Sequence, residues 1–207
     1  KVMGFFVGLV MKESRGKANP ALVQDWQEKY PNAEVSVILH HDPNLAPLSE
    51  DRFWEIIALL DWNKEGDDDA VIEPAVKALA SAPVRHIYEF EDILSEKLYQ
   101  LDGLAWARNT GDSAYKSEDE FFSVDGFLYD RCAVVANGRE FFYEVLKDPE
   151  KMPKELSFEA LLSIAGDAYE RKTGKNFDYI PAWSYETFSN KVGWNKADTS
   201  QNSASKK

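Results

Sequence analysis

The chain has 207 residues, 44% of them hydrophobic, which is enough apolar material for one good domain plus an appendage. A formal charge of −12 and a pI of about 4.8 exclude a general nucleic-acid binder, because phosphate contacts need clustered Lys and Arg. One cysteine excludes an internal disulfide, and with no long apolar run or signal peptide to read, we expect a cytoplasmic protein with no membrane role.

At the N-terminus, Phe5, Phe6, Leu9, Val10 and the stem of Lys12 recur at three- and four-residue spacing, as one face of a short helix requires. Gly16 suits the left-handed residue that closes such a helix. Asn19 then caps a second helix with Pro20 in its first position, and Leu22, Val23 and Trp26 form its apolar stripe. Residues 1–30 therefore predict a helical hairpin whose turn carries Lys12, Arg15 and Lys17. Lys1 adds a fourth cation and Glu13 is the one acid before residue 18, so any RNA contact is expected at this corner. Taken alone, three cations beside a turn also describe a solvated helix end.

The run G-F-x-V-G-x-V-M-K-x-S-R-G-K-A-N-P from Gly4 to Pro20 resembles the GatB/YqeY tail. That tail is the small helical module that closes the GatB component of the tRNA-dependent amidotransferases. The resemblance covers about the first thirty residues. It implies contact with tRNA through Lys12, Arg15, Lys17 and Asn19, and amidotransferase subunits as partners. Glutamine-dependent carbon–nitrogen ligation would belong to a separate cradle domain, no part of which is visible in this sequence. The missing initiator methionine leads us to expect further sequence upstream.

Residues 31–48 read as a linker with one extended piece, Val35 to Leu39. His40-His41-Asp42 lacks the spacing of a zinc site, and no metal is expected there. Ser49 begins a second helix start, followed by Phe53, Trp54, Ile56, Ile57, Leu59 and Leu60. Asp67-Asp68-Asp69 precedes Val71, Ile72, Ala75, Val76 and Leu79, so the acids are expected to serve a helix N-terminus and its dipole.

The longest helical pattern runs from Val84 through Ile87, Phe90, Leu94, Leu98 and Leu101 to Leu104, ending at Asn109-Thr110-Gly111. Ser117-Glu118-Asp119-Glu120 has capping-box order and predicts a helix holding Phe121, Phe122, Phe127, Leu128, Cys132 and Val135, ended or bent at Gly138. Cys132 is read as an inert core thiol. Phe141 to Leu146 form a short helix that Asp148-Pro149 stops. Ser157 is expected to cap a last helix closed by Thr173-Gly174. The fold class is thus mainly α: a short hairpin, a linker, then an irregular multi-helix domain over 49–175. An aromatic strap over 176–195 and a disordered tail over 196–207 complete the expectation.

Residues 50–175 resemble a second family, the bacterial domain of unknown function 4240. The carrying motifs are D-R-F-W-E-I-I at Asp51–Ile57, S-x-D-G-F-x-Y-D-R at Ser123–Arg131, G-R-E-F-F-Y at Gly138–Tyr143, and A-Y-E-R-K-T-G at Ala168–Gly174. Cys132-Ala133-Val134 departs from the aromatic and larger aliphatics expected after Arg131. This resemblance implies a helical fold and no particular reaction.

Asp125, Tyr129, Asp130 and Arg131 form a candidate polar cluster, with Asp125 and Tyr129 on one helix face. A carboxylate, a phenol and a guanidinium suit acid–base chemistry, and equally suit the orientation of packed helices. No phosphate loop, zinc signature, Rossmann fingerprint or nucleophile elbow occurs, so no cofactor is expected. Two functions stay open. One is a tRNA-binding tail of a GatB-like amidotransferase protein; the other is an acidic protein-interaction or regulatory module without an RNA role.

Overall fold

The computed structural model describes residues 45–195, which form seven α-helices joined by short 3-10 turns, with no strand among them. The hairpin, His40-His41-Asp42 and the tail lie outside the described residues. Among the described residues the fold is mainly α, as expected.

Helix α1 (Glu50–Ile57) starts where Ser49 Oγ accepts the Arg52 N–H at 3.1 Å, and Glu50 and Asp51 complement the dipole in its first turn. Helix α2 (Asp68–Ser81) is capped by Asp67, whose carboxylate accepts the Ala70 N–H at 3.1 Å. The acidic triplet therefore serves the helix start, as its position before an apolar run implies.

Helix α3 (Val84–Gln100) is the organising element. It packs against α1 and α2 and against two later helices, α5 (Val124–Ala136) and α7 (Ile164–Thr173). Ile87, Phe90, Leu94 and Leu98 are fully buried along its inner face. The end of the expected linker docks on it: the Leu48 N–H donates to Glu89 at 2.8 Å, and Arg85 reaches the Leu45 carbonyl at 3.1 Å.

The long pattern from Val84 is not one helix. α3 stops at Gln100, and a separate turn, α4 (Leu104–Ala107), follows after Asp102-Gly103. Leu101 and Leu104 are both buried, as the periodicity implies, but the backbone breaks between them. The reason lies far along the chain, where the Leu104 N–H donates to the Gly193 carbonyl at 2.9 Å. A β-carbon on Gly103 would come within 2.9 Å of that oxygen, so only glycine permits the approach.

Two expected caps are also corrected. α5 begins at Val124, with Ser123 Oγ accepting the Gly126 N–H at 3.0 Å, so Ser117 caps nothing and Phe121 is left 94% exposed. The last helix, α7, begins at Ile164 after a 3-10 turn over Glu159–Ser163, so Ser157 is not its cap. Between them, α6 (Arg139–Lys147) follows Gly138, whose φ of 93° gives the sharp reversal out of α5. Gly174, at φ 68°, closes α7 as predicted. The strap then crosses back over α3 and α5, placing Phe177, Tyr179, Tyr185 and Trp194 against the core.

Candidate functional site

The four residues of the expected polar cluster share α5 but do not converge. Asp125 is exposed, and the Tyr129 hydroxyl donates instead to Glu159 at 2.9 Å. Arg131 turns inward and is fully buried. Its guanidinium donates to the Leu98 carbonyl at 2.8 Å, the Tyr185 carbonyl at 2.9 Å and the Thr187 hydroxyl at 3.0 Å, rather than to Asp130. Asp130 is buried, and desolvation with nearby Glu155 pushes its carboxyl up to about 7, against the opposing pull of Arg131. The bonds of Arg131 and Tyr129 join one piece of chain to another.

Three charged groups pin the strap in this way. Asp92 on α3 accepts the Tyr179 hydroxyl and the Ala182 N–H, both at 2.8 Å. Asp102 accepts the Phe188 and Asn190 N–H groups at 3.2 and 2.8 Å, the Ser189 hydroxyl at 3.3 Å and the Trp194 indole at 2.7 Å. Arg131 holds the stretch between them. Each charge has hydrogen-bond partners, as burial requires.

Glu91 is different. It is 5% exposed, one carboxylate oxygen has no hydrogen-bond partner among the described residues, and burial beside Asp92 pushes it up to about 7. Burial, and to a lesser degree the charge of Glu91, pushes up both the Cys132 thiol and the Tyr185 phenol. Cys132 is fully buried with its thiol pushed far up by desolvation, so it is the inert core thiol expected.

A second network ties α1, α3 and α6 together. The Lys97 ammonium, almost wholly enclosed, lies 3.1 Å from Glu50 and over the rings of Phe142 and Tyr143. Tyr143 and Trp54 also donate to Glu50, at 2.6 and 3.0 Å. Burial opposes ionisation of Glu50, but these donors outweigh it and hold the carboxyl down at about 2. Nearby, Arg139 pairs with Asp51 at 2.5 Å.

One opening lies between the strap and the loop before α5: a recess of about 360 Å³ lined by Leu104, Tyr115, Phe122, Phe188 and Trp194, and by Ser117 and the exposed, rim-forming Glu118 and Glu120. Tyr115 is fixed by its N–H, which donates to the Ala107 carbonyl at 2.8 Å, and Trp194 by Asp102. Phe188 stands at φ 74°, a left-handed conformation costly for an aromatic residue and held by its bond to Asp102. Sequence reading names parts of this site but not their meeting: the acids and Phe122 stand in an expected capped helix, Phe188 and Trp194 in a strap, and Tyr115 carries no signal of its own. Residues 1–44 carry equal numbers of basic and acidic side chains, so the acidic surplus of the chain belongs to the domain around this recess.

With the fold and recess in place, comparison with known proteins adds two results. The model of the family described as protein of unknown function (DUF4240) matches residues 48–171, more than half of the chain. The chain belongs to this family. The DUF4240 match takes in every helix from α1 to most of α7 and the loop half of the recess, whereas Phe188 and Trp194 lie beyond it. Residues 1–29 are similar to the GatB domain, a stretch outside the described residues that includes Lys12, Arg15, Lys17 and Asn19. No curated protein and no solved structure matches the chain. Among the described residues no helix is long and apolar enough to cross a membrane.

Proposed function

We propose that this chain is a cytoplasmic binding protein whose DUF4240 domain recognises a basic surface on a partner protein. The observation that carries this reading is the recess with an aromatic wall and a carboxylate rim, set in a domain that holds the acidic surplus of the chain. Aromatic side chains supply large, rigid contact area, and carboxylates at a rim steer a cationic partner and set its orientation. A phosphate-bearing ligand would meet repulsion at the same rim.

The test is binding of a fluorescent decapeptide of alternating lysine and arginine to the full chain, at low and moderate salt. Affinity should fall with salt and fall again in the Glu118→Gln, Glu120→Gln double variant. Peptide binding that ignores the double substitution contradicts the reading.

A second reading is favoured by the similarity of residues 1–29 to the GatB domain. In it Lys12, Arg15, Lys17 and Asn19 contact tRNA, amidotransferase subunits are the partners, and glutamine-dependent amidation of Glu-tRNA or Asp-tRNA takes place outside this chain. Uncharged tRNA should then bind the full chain with strong salt dependence, because phosphate neutralisation releases counterions. The Lys12→Ala, Arg15→Ala, Lys17→Ala variant should lose that binding. Equal binding by both proteins removes the RNA role from this segment.

A further inference from the structure

We propose that the recess receives the guanidinium of an arginine side chain presented by the partner protein. This deepens the reading of the DUF4240 domain as a module for basic surfaces, and depends on it.

Tyr115 and Phe122 meet at 84°, Tyr115 and Trp194 at 73°, and Phe122 and Trp194 at 62°, with centroids 5.3, 5.5 and 6.1 Å apart. The rings are steeply tilted against one another and line the recess together, and an aromatic lining attracts cations through the negative faces of its quadrupoles. Phe188 extends this wall, its ring centroid 4.4 Å from that of Trp194.

Glu118 and Glu120 stand beside the rings. Glu120 is held by Lys116 only at 4.0 Å, with both side chains well exposed, so an incoming cation displaces a weak pair. Among protein cations, guanidinium uses both features at once: it is flat, weakly hydrated, stacks on aromatic faces and forks onto carboxylates. The lysine ammonium is compact and strongly hydrated, and loses more water to enter the same site.

The exposed apolar surroundings point to a side chain on a protein rather than a free small molecule. A volume of about 360 Å³ lies at the low end of ligand sites, room for one side chain and not for a helix. Phe121, next to the wall residue Phe122, is 94% exposed, and Val124 is 42% exposed. These apolar side chains would be covered by residues flanking the arginine.

The probes are N-acetyl-arginine methylamide and its lysine and citrulline counterparts, titrated into the full chain with the indole signals of Trp194 followed by NMR. The arginine compound should bind about tenfold more tightly than lysine, because guanidinium is less hydrated and forks onto a carboxylate. It should lose about tenfold in the Glu118→Gln, Glu120→Gln variant, and citrulline should not bind. Arginine and lysine binding equally, or citrulline matching arginine, overturns the assignment. A chain that binds the basic decapeptide through Glu118 and Glu120 but not the arginine compound also overturns it, and leaves the broader reading standing. Failure of both ligands removes the two together. Phe121→Ala should leave the small arginine compound unaffected and weaken a leucine-flanked arginine peptide; an unchanged peptide affinity would place the partner elsewhere.

Discussion

The Asp102 carboxylate accepts the indole N–H of Trp194 at 2.7 Å across 92 positions of sequence. Asp102 is fully buried, so this bond and its three companions to Phe188, Ser189 and Asn190 hold both the strap and one wall of the recess. Asp102→Ala leaves the Phe188 and Asn190 N–H groups and the Trp194 indole without this acceptor, while the Ser189 hydroxyl keeps the Ser184 carbonyl at 2.6 Å. Hydrogen bonds to a charged group are each worth roughly 1.5–3 kcal/mol and are not additive, so the expected loss is about 3–5 kcal/mol. Urea unfolding measures it, and limited proteolysis should cut the variant first within residues 177–195. A variant as stable and as resistant as the parent would mean the strap is held by ring packing alone.

Arg131 is expected to resist conservative replacement. Its fork reaches Leu98, Tyr185 and Thr187 at once, and a lysine ammonium cannot span three acceptors from one buried position. Arg131→Lys should cost about 2–4 kcal/mol, with a red shift of tryptophan emission as the strap loosens. Arg131→Met removes the buried charge but strands the same oxygens, so it should be no better. Full stability in the lysine variant would show that one hydrogen bond suffices.

Glu91 shapes the stability profile between weakly acidic and neutral pH. Its carboxyl rises from 4.5 to about 7 in the folded chain, under burial and the neighbouring charge of Asp92. Between those values the folded chain holds a proton that the unfolded chain has released, so stability falls as pH rises through that window and levels off above it. Asp130 contributes in the same direction. Glu91→Gln should raise stability at pH 8 by roughly 2 kcal/mol and change little at pH 4. Parallel pH profiles for parent and variant would contradict the assignment.

Glu50 acts with the opposite sign. Its carboxyl is held at about 2, so its contribution is complete above 4.5 and is lost as pH falls from there towards 2. Glu50→Gln leaves the enclosed Lys97 ammonium without its counter-charge. Because Glu50 is itself 37% exposed, screening limits the loss to about 1–2 kcal/mol at pH 7, and the gap should close towards pH 2. Adding Lys97→Met should recover part of it, since an ion pair can be exchanged for apolar packing at little cost. A double variant no better than the single one would show that Lys97 is needed for its ring contacts with Phe142 and Tyr143.

What is legible in the sequence is local, and what it hides is tertiary. Ser49 and Asp67 announce helix starts because each sits directly before an apolar periodic run and caps within three residues. Ser117 has the same local form yet fails, because Phe122 is drawn out of helical register into ring contacts with Phe188 and Trp194. The break after Gln100 is hidden for the same reason, since the Gly193 backbone that demands it is a distant partner. In the polar cluster, the spacing of Asp125 and Tyr129 is correct for one face, but the phenol finds Glu159 from another segment. Arg131 stands out in its motif while its role does not: nothing around it in sequence reveals that its acceptors include main-chain oxygens on α3 and the strap. The recess needs both halves of the chain, so no window of sequence contains it.

The strap also imposes an order in time. Asp92, Asp102 and Arg131 leave the ribosome well before residues 179–194, at roughly 5–20 residues per second. For about 5–20 s after Asp102 is made, its partners do not yet exist. During that interval the nascent domain holds two charges destined for full burial, Asp102 and Arg131, that are still hydrated, which opposes early collapse around α3. Closure of the hydrophobic interior is thereby deferred until the segment carrying Phe188 and Trp194 has been synthesised, and the recess forms in the same step.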